Sequence, residues 1–168
     1  MLVQTQSLIN RFNEWVGRSV AWFVIAMVVI TFFNVVMRYG FNFGLIAVQE
    51  SVIYLHSFVF MLAIGYTYKH NEHVRVDIFY SRYSDSQKAW TDLLGTVFLL
   101  FPFCIYLIFS SFEYASNSWK LLEGSREANG LPLIFILKTL VPLMPSFLLL
   151  QGVSTVCNSL MTISSERK

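Results

Sequence analysis

The stretch FNVVMRYGFNFGLIAVQESVIYLHSFVFMLAIGYTY, residues 33–68, decides the fold of this chain. It holds the end of one apolar run, a polar and aromatic connection at 38–50, and the whole of a second apolar run. An α-helix rises 1.5 Å per residue, so about 20 apolar residues cross a hydrocarbon core of roughly 30 Å. Asn34 and Arg38 close the first run, and Glu50 opens the second. A cation and an anion at facing helix ends ask for a reason in a chain where charge is scarce.

Composition sets the class. Of the 168 residues, 55% are hydrophobic and 13% charged, and 16 Phe stand against 12 Lys plus Arg. A soluble domain carries about 25% charged residues. A water-soluble fold of this size has no room to hide so much apolar surface, so the sequence predicts an all-α integral membrane protein. The net charge of +2 points to no nucleic-acid partner. Cys104 and Cys157 both sit in apolar runs and read as small packing residues. No CxxC, HExxH, Walker loop or GxSxG occurs, and nothing suggests an enzyme, a metal centre or a resident cofactor. The first apolar run is long and lacks a small-x-small site after it, so it reads as an anchor that stays.

Outward from the opening stretch, four spans are expected, at 19–37, 51–68, 93–112 and 133–156, in a single membrane domain over 1–168. Residues 1–18 read as a short interfacial helix with Arg11, Glu14 and Arg18 around Trp15. Residues 41–48 read as a second one, with Phe41, Phe43, Leu45 and Ile46 dipping into the interface. The nominal GxxxG of Gly40 and Gly44 lies in a turn rather than an apolar helix, and is read as backbone freedom for the reversal. Asn129-Gly130 signals a turn, and Pro132 suits the start of the last helix.

Four spans put both ends on one side. Eight Lys and Arg fall on that side, three (Arg38, Lys120, Arg126) on the other, and Lys138 inside a span. The positive-inside rule then places both termini in the cytoplasm. Trp15, Trp22, Tyr66, Tyr68 and Trp90 near inner ends, and Tyr39, Tyr114 and Trp119 near outer ones, form aromatic belts.

With this topology Arg38, Glu50, Glu113 and Lys138 collect at the outer ends, with Asn34 one turn before Arg38. Charges near hydrocarbon are paired or snorkel to the interface. The expectation is one polar layer in which Arg38 pairs with Glu50, and Glu113 with Lys138. His56 is the titratable group deepest in a span and reads as a helix-packing residue rather than a proton relay. A bis-histidine haem site is disfavoured because His70 and His73 lie in a polar loop. A four-span antiporter is disfavoured because the first span has no acidic residue. Pro142 and Pro145 deprive the Lys138 and Val141 carbonyls of helical donors, so a kink is expected, shaping a packing surface toward a partner.

The residues NVVMRYGFNFGLIAVQES, and then YKHNEHVRVDIFYSR after the second span, resemble the small, Q-type membrane subunit of tripartite ATP-independent periplasmic (TRAP) transporters. The shared pattern is Asn34, Arg38-Tyr39, Glu50 and His73-Val74-Arg75-Val76-Asp77. Position 49 is Gln, where the family commonly has an acidic residue. The resemblance implies an accessory subunit of a sodium-driven importer of an organic acid, such as sialic acid or a dicarboxylate, in the bacterial inner membrane. It implies a large M-type membrane subunit that carries sodium and substrate, and a periplasmic substrate-binding protein. Direct or lipid-filled contact with the large subunit follows for the 41–48 segment and for Pro142 and Pro145. His73, Arg75 and Asp77 would face out at the cytoplasmic surface, against headgroups or the large subunit. Glu123, Arg126 and Glu127 would be a salt-sensitive docking surface for the binding protein. The competing reading is a free-standing small carrier or a membrane redox subunit.

Overall fold

A computed structural model describes residues 2–73 and 77–166, with the side chains of Asp77, Phe79 and Glu166 left aside. The described residues form helices and connecting turns. α1 spans Leu2–Gly40, α2 Ile46–Leu62, α3 Ile64–Lys69, α4 Asp77–Tyr80, α5 Asp85–Gly95, α6 Phe101–Leu121 and α7 Ile134–Glu166. A break at Ala63 separates α2 from α3, and a π-helical turn over Thr96–Leu100 joins α5 to α6. Four continuous rods result, Leu2–Gly40, Ile46–Lys69, Asp85–Leu121 and Ile134–Ser165, each long and apolar enough to cross a membrane.

The first rod corrects one expectation. Residues 2–18 do not form a separate interfacial helix but the first half of α1. The sequence has no Pro there, and a single face at Ile9, Asn13, Val16, Gly17 and Val20 is buried against the other helices. Packing therefore carries the helix across its polar start. At 1.5 Å per residue the rod is about 58 Å long, so part of it must stand outside the hydrocarbon. The second interfacial helix is also absent: residues 41–45 are a non-helical link with Asn42 in the left-handed region, and α2 begins at Ile46. Phe41 and Phe43 in that link are exposed.

α7 is the hub and packs on α1, α2, α3, α5 and α6. Its partners approach closely because the seams carry small side chains. A Cβ on Gly17 of α1 would lie 2.5 Å from the ring of Tyr66, and one on Gly152 of α7 would lie 2.7 Å from Phe101. Cys104, Ala115, Ser111, Ser118, Ser154 and Ser159 are buried along the same seams, and both cysteines are free. Without a hydrophobic driving force between helices in lipid, such close backbone packing is what holds them together. Large apolar side chains point outward instead: Trp22, Val28 and Phe32 on α1, and Phe103, Phe109 and Phe112 on α6.

The π-turn has a cause in the sequence. Pro102 has no N–H to give and its ring crowds the carbonyl one turn earlier. The backbone widens there, and Phe101 N–H reaches back to the Thr96 carbonyl. α5 starts at a capping box in which Ser84 accepts from Gln87 N–H and the Gln87 side chain accepts from Ser84 N–H. α7 runs through Pro142 and Pro145. Pro145 is among the most completely buried side chains. Its face of α7 is therefore occupied by this chain's own helices and is not free for a partner.

Candidate functional site

Polar chemistry gathers at the two ends of the bundle. At the end away from the termini, the connection between α6 and α7 folds over the start of α2. Two residues in left-handed conformations, Leu122 and Asn129, turn it, and Ser125 N–H donates to the Leu131 carbonyl at 3.0 Å to close it. The Glu50 carboxylate sits inside this loop. It accepts from the Ser125 hydroxyl and from Leu131 N–H, the latter at 2.6 Å. The expected Arg38–Glu50 pair is therefore not formed: Glu50 is spent on the loop. Arg38 is exposed, with no ion pair among the described residues, and lines a cavity of about 510 Å³ with Asn34, Tyr39, Asn42 and Gln49.

Lys138 likewise has a different partner. Its ammonium donates to Glu123 at 2.6 Å and lies 4.1 Å over the Tyr114 ring. Glu113 points outward from α6, so its neighbour Tyr114 meets Lys138 instead. The left-handed turn at Leu122 brings Glu123 back over the helix end, where it also accepts from the Ser118 hydroxyl at 2.7 Å. Trp119 Nε1–H donates to Thr139 Oγ1 at 2.7 Å beside them. Of the three proposed docking charges, Glu123 is thus engaged within the chain, whereas Arg126 and Glu127 are exposed.

The Lys138 ammonium, with the Ser118 hydroxyl second, holds the Glu123 carboxyl below its ordinary value of 4.5. A depressed folded-state value stabilises the fold above the unfolded value, and that contribution disappears as pH falls through the folded one. The thermal transition of wild type should therefore exceed that of Lys138→Met at neutral pH, and the gap should shrink below about pH 4.5. A gap that stays constant from pH 7 to pH 3 would show that the pair contributes nothing.

At the end carrying the termini, two clusters tie α1 to its neighbours. Glu14 accepts from Arg18 at 2.8 Å and from Lys69 at 2.5 Å, with His70 Nε2 at 3.0 Å. Next to it, Gln151 of α7 reaches two asparagines of α1. Asn13 Nδ2 donates to Gln151 Oε1 at 2.7 Å, and Gln151 Nε2 donates to Asn10 Oδ1 at 3.1 Å. Asn10 Oδ1 also accepts from Ser154 at 2.7 Å. Gly65 makes room for Asn13, since a Cβ there would lie 2.8 Å from Asn13 Oδ1. Neither cluster was expected. The signal was present as spacing: Asn10, Asn13 and Glu14 share one face of α1, and Gln151, Ser154 and Asn158 one face of α7.

The remaining candidates separate. His56 is exposed on α2 and stacks on Phe60 at 6.2 Å. Arg75 and the side chain of Asp77 lie outside the described residues. His73 does not face out as expected: it is half-buried, 6.0 Å from the Tyr68 ring, and its Nε2 is enclosed with no hydrogen-bond partner among the described residues. Among the described residues no group of three His, Cys, Asp or Glu side chains is placed to hold a metal ion.

Four lipid-length rods with their polar groups at the ends define a multi-pass membrane protein. A sequence model of the family described as "Tripartite ATP-independent periplasmic transporters, DctQ component" matches residues 27–162, and the chain belongs to that family. It is a transporter component, which is not a class of enzyme. A Haemophilus influenzae protein named as a TRAP transporter small permease protein is 28% identical over 102 residues, covering 58% of this chain and 62% of that relative. The chain thus spans less than two thirds of that relative's length. No solved structure matches.

Proposed function

We propose that this chain is the static, scaffold-widening small subunit of a sodium-driven importer that receives an organic acid from a periplasmic binding protein. It sits in the bacterial inner membrane with both ends in the cytoplasm, beside a large membrane subunit that carries sodium and substrate. The observation that carries this reading is where the polar groups lie. Among the described residues, every ion pair is at one or the other end of the bundle. The buried side chains between them are those of a packing seam: Tyr54, Cys104, Ser111 and Leu140. A chain that moved an acid or an ion itself would need ligands near the bilayer midplane, usually at broken helices. The outward-facing aromatics of α1 and α6 suit lipid and a second protein instead. Widening a scaffold with four rods resists its tilting while another domain moves against it.

A tagged copy is expected to purify with a large multi-span subunit. Uptake in vesicles should need both membrane subunits, the binding protein and a sodium gradient. Charge reversal at Arg126 and Glu127 should lower uptake severalfold at low salt without dissociating the complex. Purification as an isolated carrier that takes up solute unaided would overturn the reading.

A further inference from the structure

At the end of the bundle away from the chain ends, α1 turns into α2 around an open pocket of about 510 Å³. The Met37 carbonyl draws the turn tight, accepting from Phe41 N–H at 3.2 Å and from Phe43 N–H at 3.0 Å. Asn42 lies between them in the left-handed region and lines the pocket. Asn34 and Arg38, one helical turn apart, line it from α1, and Gln49 lines it from the first turn of α2. Tyr39 completes the polar lining.

None of these five side chains has a hydrogen-bond or ion-pair partner among the described residues. No acidic side chain lines the pocket. Glu50, next in sequence to Gln49, has its carboxylate engaged by Ser125 and Leu131. α2 begins there without a side-chain cap, so its dipole adds to the positive potential that Arg38 sets up. One cation, three amides and a phenol with no anion among them suit a singly charged anionic ligand rich in oxygen.

Depth narrows the kind of ligand. About one turn toward the bilayer middle, the same helix faces carry exposed apolar side chains, Val35 on α1 and Ile53 on α2. Tyr39, Phe41 and Phe43 are exposed around the pocket. Aromatic side chains gather in this way at the boundary between headgroups and hydrocarbon. A lone carboxylate has about four acceptor sites and is too small to engage five side chains spread around such a pocket. A phosphodiester with a polar headgroup beyond it matches both the size and the depth.

We propose that this pocket binds one monoanionic phospholipid, of the phosphatidylglycerol kind, from the leaflet at the end away from the chain ends. The Arg38 guanidinium donates to the phosphodiester oxygens, and the amides of Asn34, Asn42 and Gln49 bond the remaining phosphate and glycerol oxygens. The acyl chains leave along Val35 and Ile53. Arg38 neutralises the phosphate, and the glycerol headgroup brings no further charge. Phosphatidylethanolamine would bring an ammonium that meets no carboxylate in the lining, and binds less well. This inference rests on the four rods crossing a membrane and not on the identity of any partner.

The test is native mass spectrometry of the full-length chain after delipidation and re-addition of defined lipids. Wild type should retain one phosphatidylglycerol, severalfold in preference to phosphatidylethanolamine. Arg38→Gln should lower the bound fraction roughly tenfold, the effect of losing about one charge-assisted hydrogen bond. Arg38→Lys keeps the charge without the planar fork and should recover part of the loss. Lys120→Gln removes an exposed cation of the same end outside the pocket and should leave retention unchanged. If Arg38→Gln lowers the thermal transition of the delipidated protein, the double variant Asn34→Ala/Gln49→Ala replaces it and should show the same loss of lipid. Undiminished retention in the pocket variant, an equal loss in Lys120→Gln, equal retention of phosphatidylethanolamine, or full competition by glycerophosphoglycerol without acyl chains would each overturn the proposal. Undiminished retention together with loss of a co-purifying membrane subunit would overturn it in favour of a protein carboxylate as the occupant.

Discussion

Gln151→Leu is expected to destabilise the protein by roughly 2–5 kcal/mol, the sum of two or more buried polar groups left without partners. Gln151 is 4% exposed and Asn13, which it faces, 1%. Asn13 Oδ1 has no partner among the described residues, so its Nδ2 bond to Gln151 is what the buried amide relies on. Leucine keeps the volume and removes the acceptor, which isolates polarity from packing. Asn10 keeps its bond from Ser154, so the damage should centre on Asn13. The loss is large against a total stability of about 5–15 kcal/mol. Denaturant-driven unfolding in mixed micelles, followed by circular dichroism, would measure it. The double variant Asn13→Leu/Gln151→Leu is expected to recover much of the loss, because replacing both partners by apolar groups is far less costly than orphaning one. A single variant as stable as wild type, or a double variant worse than the single, would show that the α1–α7 seam does not depend on this contact.

The apolar runs were legible because membrane crossing depends on length and hydropathy, both local properties. What escaped was the choice of partner. Nothing near Glu113 or Glu123 in the sequence says which of them meets Lys138. That is settled by Leu122, a residue with no intrinsic liking for the left-handed region, which turns the chain so that Glu123 returns over the end of α6. Asn129-Gly130 did announce its turn, and Asn129 is left-handed. Pro102 was the visible cause of the π-turn, but a proline near a helix start is also an ordinary beginning, and only the unbroken rod from Asp85 to Leu121 distinguishes the two. The polar start of α1 misled for a related reason. Its charges and Trp15 read as an interfacial helix when the partners of Asn10, Asn13 and Glu14, on α7 and α3, lie far away in sequence.

Glu50→Ala is expected to free the loop between α6 and α7 while leaving the four rods intact. The carboxylate accepts the Leu131 N–H, and it also takes the Ser125 hydroxyl. Gly130 fits tightly against it, since a Cβ there would lie 2.8 Å from Glu50 Oε2. Loss of two charge-assisted bonds should cost about 2–3 kcal/mol locally, or roughly 30- to 150-fold in the protection of Leu131 N–H against hydrogen exchange. Glu50→Gln keeps a carbonyl acceptor for one of the two donors and should lose less. Amides of α6 and α7 next to the Lys138–Glu123 pair should keep their protection, because that pair anchors the loop's other end independently. If α2 itself loses protection in Glu50→Ala, the residue is a helix-stability element and not a loop clamp. The distinction matters for Arg126 and Glu127, which project from the same loop. A docking surface held by Glu50 would weaken together with the clamp, even though neither docking charge had been touched.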